Sequence, residues 1–256
     1  MPTNKSLGQH WLTDRDILGD IADAADISAS DTVLEIGPGL GTLTSELLRR
    51  AKSVVAVEFD GELARKLPGQ FPGKDLTVVH EDILRFDLHS LPSGYKVVAN
   101  VPYYITSKIV ELLMTASNKP SIAVLLVQKE VAERLAARAG DMSILAISAQ
   151  IYAEVSLGSK VGREYFIPPP KVDSQVVILR SRTAPLVPPE DERALFRVVK
   201  AGFSGKRKKL RSSIAAGLAM TKPQAEELLR HADIDPELRA EDLSIAQWLR
   251  LAKDAV

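Results

Sequence analysis

Four consecutive residues, Asn100-Val101-Pro102-Tyr103, carry the most specific chemistry in the chain. The exocyclic amino group of a purine is a poor nucleophile, because its lone pair is delocalised into the ring. Two acceptors aimed at its hydrogens favour a pyramidal nitrogen whose lone pair points at an electrophile. The Asn100 amide oxygen and the Val101 carbonyl are the acceptors expected here, with Pro102 fixing the turn and Tyr103 stacking on the base. No general base is needed before transfer, since the nitrogen sheds its proton once the new bond has formed. Positioning and electrostatics then carry most of the rate.

A second set of residues has the spacing of an adenosine site. Thr32–Ile36 runs straight into Gly37-Pro38-Gly39-Leu40-Gly41, and a helical pattern starts at Thr42. Gly37, Gly39 and Gly41 are expected to let the backbone turn tightly and approach a ligand. The next apolar run ends at Glu58, 21 residues after Gly37, where an acid can accept from both ribose hydroxyls. The third ends at Glu81-Asp82-Ile83, offering Asp82 to an adenine amino group and Ile83 to the ring face. Any one of these acids alone is more often a solvated loop charge, but three successive strand ends make a site. A dinucleotide fingerprint would place its third glycine where Thr42 stands. The spacing therefore favours an adenosine cofactor with no pyrophosphate to seat on the helix, namely S-adenosylmethionine.

The elements that must position these groups form an α/β pattern. Strands are expected at Thr32–Ile36, Ser53–Glu58, Leu76–His80, Lys96–Ala99 and Ile122–Gln128, with Ala149–Ser156 and Ser174–Arg180 as an antiparallel edge pair. Helices are expected at Thr42–Arg50, Gly61–Leu67, Ser107–Ala116 and Lys129–Arg138. Three prolines within Thr183–Pro189 read as a linker. Beyond it, helices are expected over Glu190–Ala201, Lys208–Ala219, Lys222–His231 (capped by Thr221) and Ser244–Ala255. The reading is a Rossmann-like methyltransferase sheet over residues 1–182 and a small all-helical domain over 183–256.

Composition narrows the class. Hydrophobic residues at 45% and charged residues at 26% are ordinary for a globular chain. There is no cysteine, which excludes disulfides, thiolate metal sites and thiol nucleophiles. Met1 to Leu12 lacks an apolar core, and no apolar run reaches 18 residues, so the expectation is a cytoplasmic protein without membrane span or metal, acting as a monomer. The 33 basic and 33 acidic residues cancel, yet from Arg193 through Ala225 nine basic residues occur without one acid. Distribution matters more than the sum for a nucleic-acid binder.

Several stretches, in this order, resemble the ribosomal RNA adenine dimethyltransferases, and within them the small-subunit branch. They are Lys5-Ser6-Leu7-Gly8-Gln9-His10-Trp11-Leu12, Glu35-Ile36-Gly37-Pro38-Gly39-Leu40-Gly41, Asn100-Val101-Pro102-Tyr103, Val127 through Arg134, and Phe166-Ile167-Pro168-Pro169-Pro170-Lys171-Val172-Asp173-Ser174. The resemblance implies cofactor contacts at His10, Leu12, Gly37, Glu58, Asp82 and Asn100, and a Phe166 ring stacked on the target base opposite Tyr103. It also implies that Gln128 to Arg134 bears on RNA. His10 and Trp11 stand where the family more often has Asn and Phe, and Tyr104 where Asn is frequent.

For the RNA itself, Lys206, Arg207, Lys208, Lys209 and Arg211 are the expected phosphate contacts. The expected partner is ribosomal RNA in an immature small ribosomal subunit, dimethylated at two adjacent adenines. Two alternatives stay open: a large-subunit methylase of the antibiotic-resistance type, and a ribosome-assembly factor that binds RNA without turnover. A nicotinamide dehydrogenase is a remote third.

Overall fold

The structure is a computed structural model and describes residues 10–205 and 207–255. In chain order the elements are β1 (Trp11–Leu12), α1 (Arg15–Asp23), β2 (Thr32–Ile36), α2 (Thr42–Leu47), β3 (Ser53–Glu58), α3 (Gly61–Lys66), β4 (Leu76–His80), β5 (Lys96–Asn100) and α4 (Thr106–Thr115). There follow β6 (Ile122–Gln128), α5 (Lys129–Leu135), α6 (Ile144–Gln150), β7 (Ala153–Val161), β8 (Phe166–Ile167) and β9 (Ser174–Ser181). The chain closes with α7 (Pro189–Phe203), α8 (Leu210–Gly217), α9 (Lys222–His231) and α10 (Ile245–Asp254). No helix among the described residues is long and apolar enough to cross a membrane.

The elements fall into two compact units. One runs to Glu133 and resumes over Ala153–Arg182; the other joins Arg134–Tyr152 to the chain from Thr183 onward. One division falls between 182 and 183, where the proline-rich stretch begins, and Arg134–Tyr152 groups with the helical unit. Its core is α6, where the sequence pattern suggested a strand from Ala149. Ser143 caps that helix by accepting from the Ala146 N–H at 3.2 Å. Ala146, Ile147 and Ala149 turn one buried face inward, a 3.6-residue period that a run of apolar residues conceals. The strand begins only at Ala153.

In the first unit a seven-stranded sheet has the order β4-β3-β2-β5-β6-β9-β7. β2 pairs in parallel with both β3 and β5, and β9 runs antiparallel between β6 and β7. The chain order reverses between β2 and β5, the switch point at which open α/β sheets leave a crevice at the strands' carboxyl ends. α1 is an element absent from the sequence reading. Asp14 caps it, accepting from the Asp16 and Ile17 N–H groups at 3.1 Å each. Leu18, Ile21 and Ala22 bury its inner face.

The stacking residue implied by the resemblance, Phe166, has apolar surroundings. It is 2% exposed and lies in the apolar cluster with Leu12, Leu18 and Leu43, registered opposite Leu12 in the short β1–β8 ladder. Its ring packs within that cluster in the structure.

In the helical unit, Thr221 and Gln224 close a capping box on α9, and Ser244 and Gln247 close one on α10. The fully buried Trp248 stacks on Phe203 with ring centroids 5.5 Å apart.

Because Phe166 is a packing residue, Phe166→Ala should lower unfolding stability by about 3–5 kcal/mol in urea titration. A loss under about 1 kcal/mol would return the ring to a binding role.

Candidate active site

The principal pocket of the first unit opens at the carboxyl ends of β2, β3, β4 and β5. His10, Leu12, Gly37, Gly39, Glu58, Asp82, Ile83, Asn100, Val101, Pro102 and Tyr103 all line it, although they are up to 93 positions apart in sequence. Gly41 does not. It sits in the left-handed region at φ +81°, and a Cβ there would meet Leu67 Cδ1 at 2.7 Å. That glycine serves the packing under α2 and not the pocket. Of the amino-terminal stretch, positions 5–9 lie outside the described residues.

The lining holds four carboxylates, Glu35, Glu58, Glu81 and Asp82, and neither lysine nor arginine. Glu58 is 6% exposed. Its Oε2 accepts from the Gly39 N–H at 3.0 Å and its Oε1 from the Asp60 N–H at 2.8 Å, so this side chain ties the glycine turn to the end of β3. Burial pushes its carboxyl above the usual range, partly offset by those donors. Asp82 Oδ1 accepts from the Leu84 N–H at 3.0 Å, holding the loop after β4.

Glu35 is the residue that sequence reasoning passed over. It is 1% exposed on β2, and its Oε2 is buried without a hydrogen-bond partner. Burial pushes its carboxyl up to about 8, offset in part by the nearby Thr44 hydroxyl and reinforced by the Glu58 charge. The side chain is therefore mostly protonated at neutral pH, and a nearby cation would ionise it. Trp11 and Phe59 were also unassigned. The Trp11 ring lies against Gly39, where any Cβ would collide with it. Phe59 is 60% exposed at the pocket wall.

On the β5 side, Asn100 Nδ2 donates to the His10 carbonyl at 3.2 Å. That bond commits the amide nitrogen, and among the described residues no donor reaches Oδ1. The His10 ring stacks on one side of Tyr103, with centroids 6.0 Å apart and planes 23° from parallel. The His10 Nδ1 is 2.7 Å from the Pro168 carbonyl. The Tyr103 hydroxyl and the fully buried Ser174 hydroxyl are 2.6 Å apart, which fixes the ring from its far end. Burial raises the Tyr103 phenol, so it stays neutral.

The pocket thus presents acidic side chains on one side and an amide oxygen with an aromatic ring on the other. A family model described as ribosomal RNA adenine dimethylase matches residues 2–255. The chain belongs to the ribosomal RNA adenine dimethylase family. Its curated relatives include the ribosomal RNA small subunit methyltransferase A of Dehalococcoides mccartyi strain CBDB1, 42% identical over 98% of this chain and 88% of the relative. That of Geobacillus thermodenitrificans is 41% identical over 97% and 89%. Among solved structures, a dimethyladenosine transferase from Plasmodium falciparum superposes with a TM-score of 0.82 at 31% identity, covering 94% of this chain and 96% of that one. The 23S rRNA methyltransferase ErmE gives 0.79 at 31% identity, covering 95% and 98%. This dimethylase chain is accordingly a methyltransferase with a Rossmann-like sheet.

The basic stretch of the helical unit is less free than its sequence suggests. Lys209 pairs with Glu237, and Arg211 with Glu237 at 2.7 Å and Glu226 at 3.3 Å. Arg207 and Lys208 are exposed, with no carboxylate within 4.0 Å among the described residues. Lys206 lies outside the described residues. No group of three or more metal-ligating side chains occurs among the described residues.

The buried Glu35 has a pH signature. Below about 4.5 it is protonated in both folded and unfolded chains. As pH rises from there toward about 8, the unfolded carboxyl ionises while the folded one stays neutral, so stability falls. Thermal midpoints measured from pH 5 to 8 should decline more steeply for the native protein than for Glu35→Gln. Parallel curves would mean that Glu35 is not protonated in the fold.

Proposed function

We propose that this dimethylase transfers methyl groups from S-adenosylmethionine to the amino nitrogens of two adjacent adenines in small-subunit ribosomal RNA. The observation that carries the reading is the Asn100 amide, its nitrogen engaged by His10 and its oxygen left as an unmatched acceptor at the pocket wall. The acidic lining supports the cofactor. A pocket with four carboxylates and no lysine or arginine suits a ligand bearing a sulfonium and an ammonium, and opposes a pyrophosphate. The orphaned Glu35 Oε2 is the natural partner for such an ammonium.

When bound, S-adenosylmethionine supplies an electrophilic methyl carbon. The chain's own residues do the rest. Glu58 accepts from the ribose hydroxyls, Asp82 from the adenine amino group, and Ile83 and Phe59 pack against that ring. Gly37 and Gly39 let the β2 turn approach closely. On the acceptor side, Asn100 Oδ1 and the Val101 carbonyl take the two hydrogens of the target amine, and Pro102 holds that carbonyl in place. Tyr103 stacks on the target base with the face that His10 leaves uncovered, its angle set by Ser174. Oriented acceptors of this kind act mainly through positioning and electrostatic preorganisation.

Arg207 and Lys208, joined by Lys206, are the proposed phosphate contacts of the helical unit; Lys209 and Arg211 serve first to order it through their carboxylate partners. The small-subunit assignment leans on relatives at 41–42% identity named for that subunit, against 31% for the 23S enzyme. The setting would be cytoplasmic ribosome assembly.

Incubating immature small and large subunits in parallel with the protein and labelled S-adenosylmethionine tests this directly. Dimethyladenosine should be recovered from small subunits alone, and Asn100→Ala should lower turnover by about 10²–10³-fold. Label appearing only in large subunits, or undiminished turnover by the variant, would contradict the assignment.

A further inference from the structure

His80 does not line the pocket, yet its ring is fastened to the backbone step that carries two of the lining residues, Glu58 and Phe59. The β3–β4 ladder ends at the pair Glu58 and His80. Past that pair β3 turns through Phe59 and Asp60 into α3, while β4 runs into Glu81-Asp82-Ile83. The imidazole crosses from one chain to the other, its Nε2 3.2 Å from the Phe59 carbonyl. A carbonyl carries no hydrogen, so Nε2 is the donor. Two further contacts fix the same turn. The Asp60 N–H donates to Glu58 Oε1 at 2.8 Å, and the Asp60 carboxylate caps α3 by accepting from the Glu62 and Leu63 N–H groups at 2.9 and 3.2 Å.

The start of α3 makes room for that ring. The helix opens at Gly61, whose φ lies outside the left-handed region, so the backbone has no need of glycine there. Glycine also weakens a helix relative to alanine. A Cβ at Gly61 would lie 2.9 Å from His80 Cε1 and 3.1 Å from its Nε2, too close for both to stay. The missing methyl group is what seats the imidazole beside the first turn. Phe59 is 60% exposed and has little packing to hold it, so its placement depends on the backbone bonds around it.

We propose that His80 is a positioning residue for the adenosine half of the cofactor site, holding the Phe59 carbonyl so that Glu58 and Phe59 meet the nucleoside already ordered. The inference rests on the S-adenosylmethionine reading above and adds a residue to it. Order present before binding is order that the ligand does not have to impose. His80 stands outside the pocket wall, so its loss weakens affinity and leaves the chemical step alone.

The test titrates S-adenosylmethionine, and adenosine as its competitor, into the full-length native protein, His80→Ala, His80→Gln, Gly61→Ala and the double variant His80→Ala/Gly61→Ala. His89→Ala, which removes an exposed ring from the loop before β5, is the control. Having lost one solvent-exposed hydrogen bond, His80→Ala should bind both ligands about fivefold more weakly, with kcat at saturating cofactor unchanged. His80→Gln, which keeps an N–H donor at the same reach, should restore most of the loss. Gly61→Ala should mimic His80→Ala by pushing the ring aside, and should add nothing once the ring is gone. His89→Ala should match the native protein. Native affinity in His80→Ala, additive losses in the double variant, or a fall in kcat would overturn the proposal. So would His80→Gln binding no tighter than His80→Ala. Native protein that binds no S-adenosylmethionine would instead overturn the cofactor reading, and this proposal with it.

Discussion

A carboxyl group with no basic partner among the described residues sits on β2, an interior strand of the sheet, beside the point where strand order reverses. Glu35 is 1% exposed and its Oε2 has no partner, and a second acid, Glu58, is buried close enough to raise it further. Burying an ionised carboxylate without a partner costs several kcal/mol, so the group stays protonated instead. The fold tolerates that cost because the glycine turn around it needs an anchor. Glu58 supplies one by accepting from Gly39 and Asp60. On the proposed reading, a cation in the crevice would offset that cost.

The acceptor half follows a different logic, that of fixing neutral groups. Asn100 is pinned through its nitrogen by the His10 carbonyl, and Tyr103 is pinned at its hydroxyl by Ser174 and covered by the His10 ring. The β1–β8 ladder brings these pieces together, pairing Leu12 with Phe166. The amino-terminal strand thereby borders the pocket, although it has only two residues. Leu12 and Phe166 pack in the apolar cluster, while His10 and Asn100, with one edge of Leu12, line the pocket.

Much of this was legible from residue types alone. Strand ends betray themselves when apolar runs stop at Glu58, Asp82 and Asn100, because the period of the sheet puts each at the same edge. The caps at Thr221 and Ser244 are local, and local signals read well. Glu35 was not legible as a buried acid, since a lone acid within Thr32–Ile36 says nothing about its burial until elements such as α2, whose Thr44 lies beside it, pack over the strand. The surroundings of Gly41 and Phe166 were hidden for the same reason. Whether a glycine serves a ligand or a neighbour's Cδ1, and whether a phenyl ring stacks or packs, depends on partners distant in sequence. Arg211 and Lys209 looked free because Glu226 and Glu237 lie outside the acid-free stretch. α6 hid within an apolar run whose helical period only Ser143 marks.

The central claim is that a cationic cofactor completes this crevice by ionising Glu35. Calorimetric titration of the protein with S-adenosylmethionine at pH 7, repeated in buffers of different ionisation enthalpy, counts the protons exchanged on binding. With Glu35 titrating near 8 in the free protein, close to one proton should be released per cofactor bound. Binding with no proton released, or no binding at all, would contradict the account.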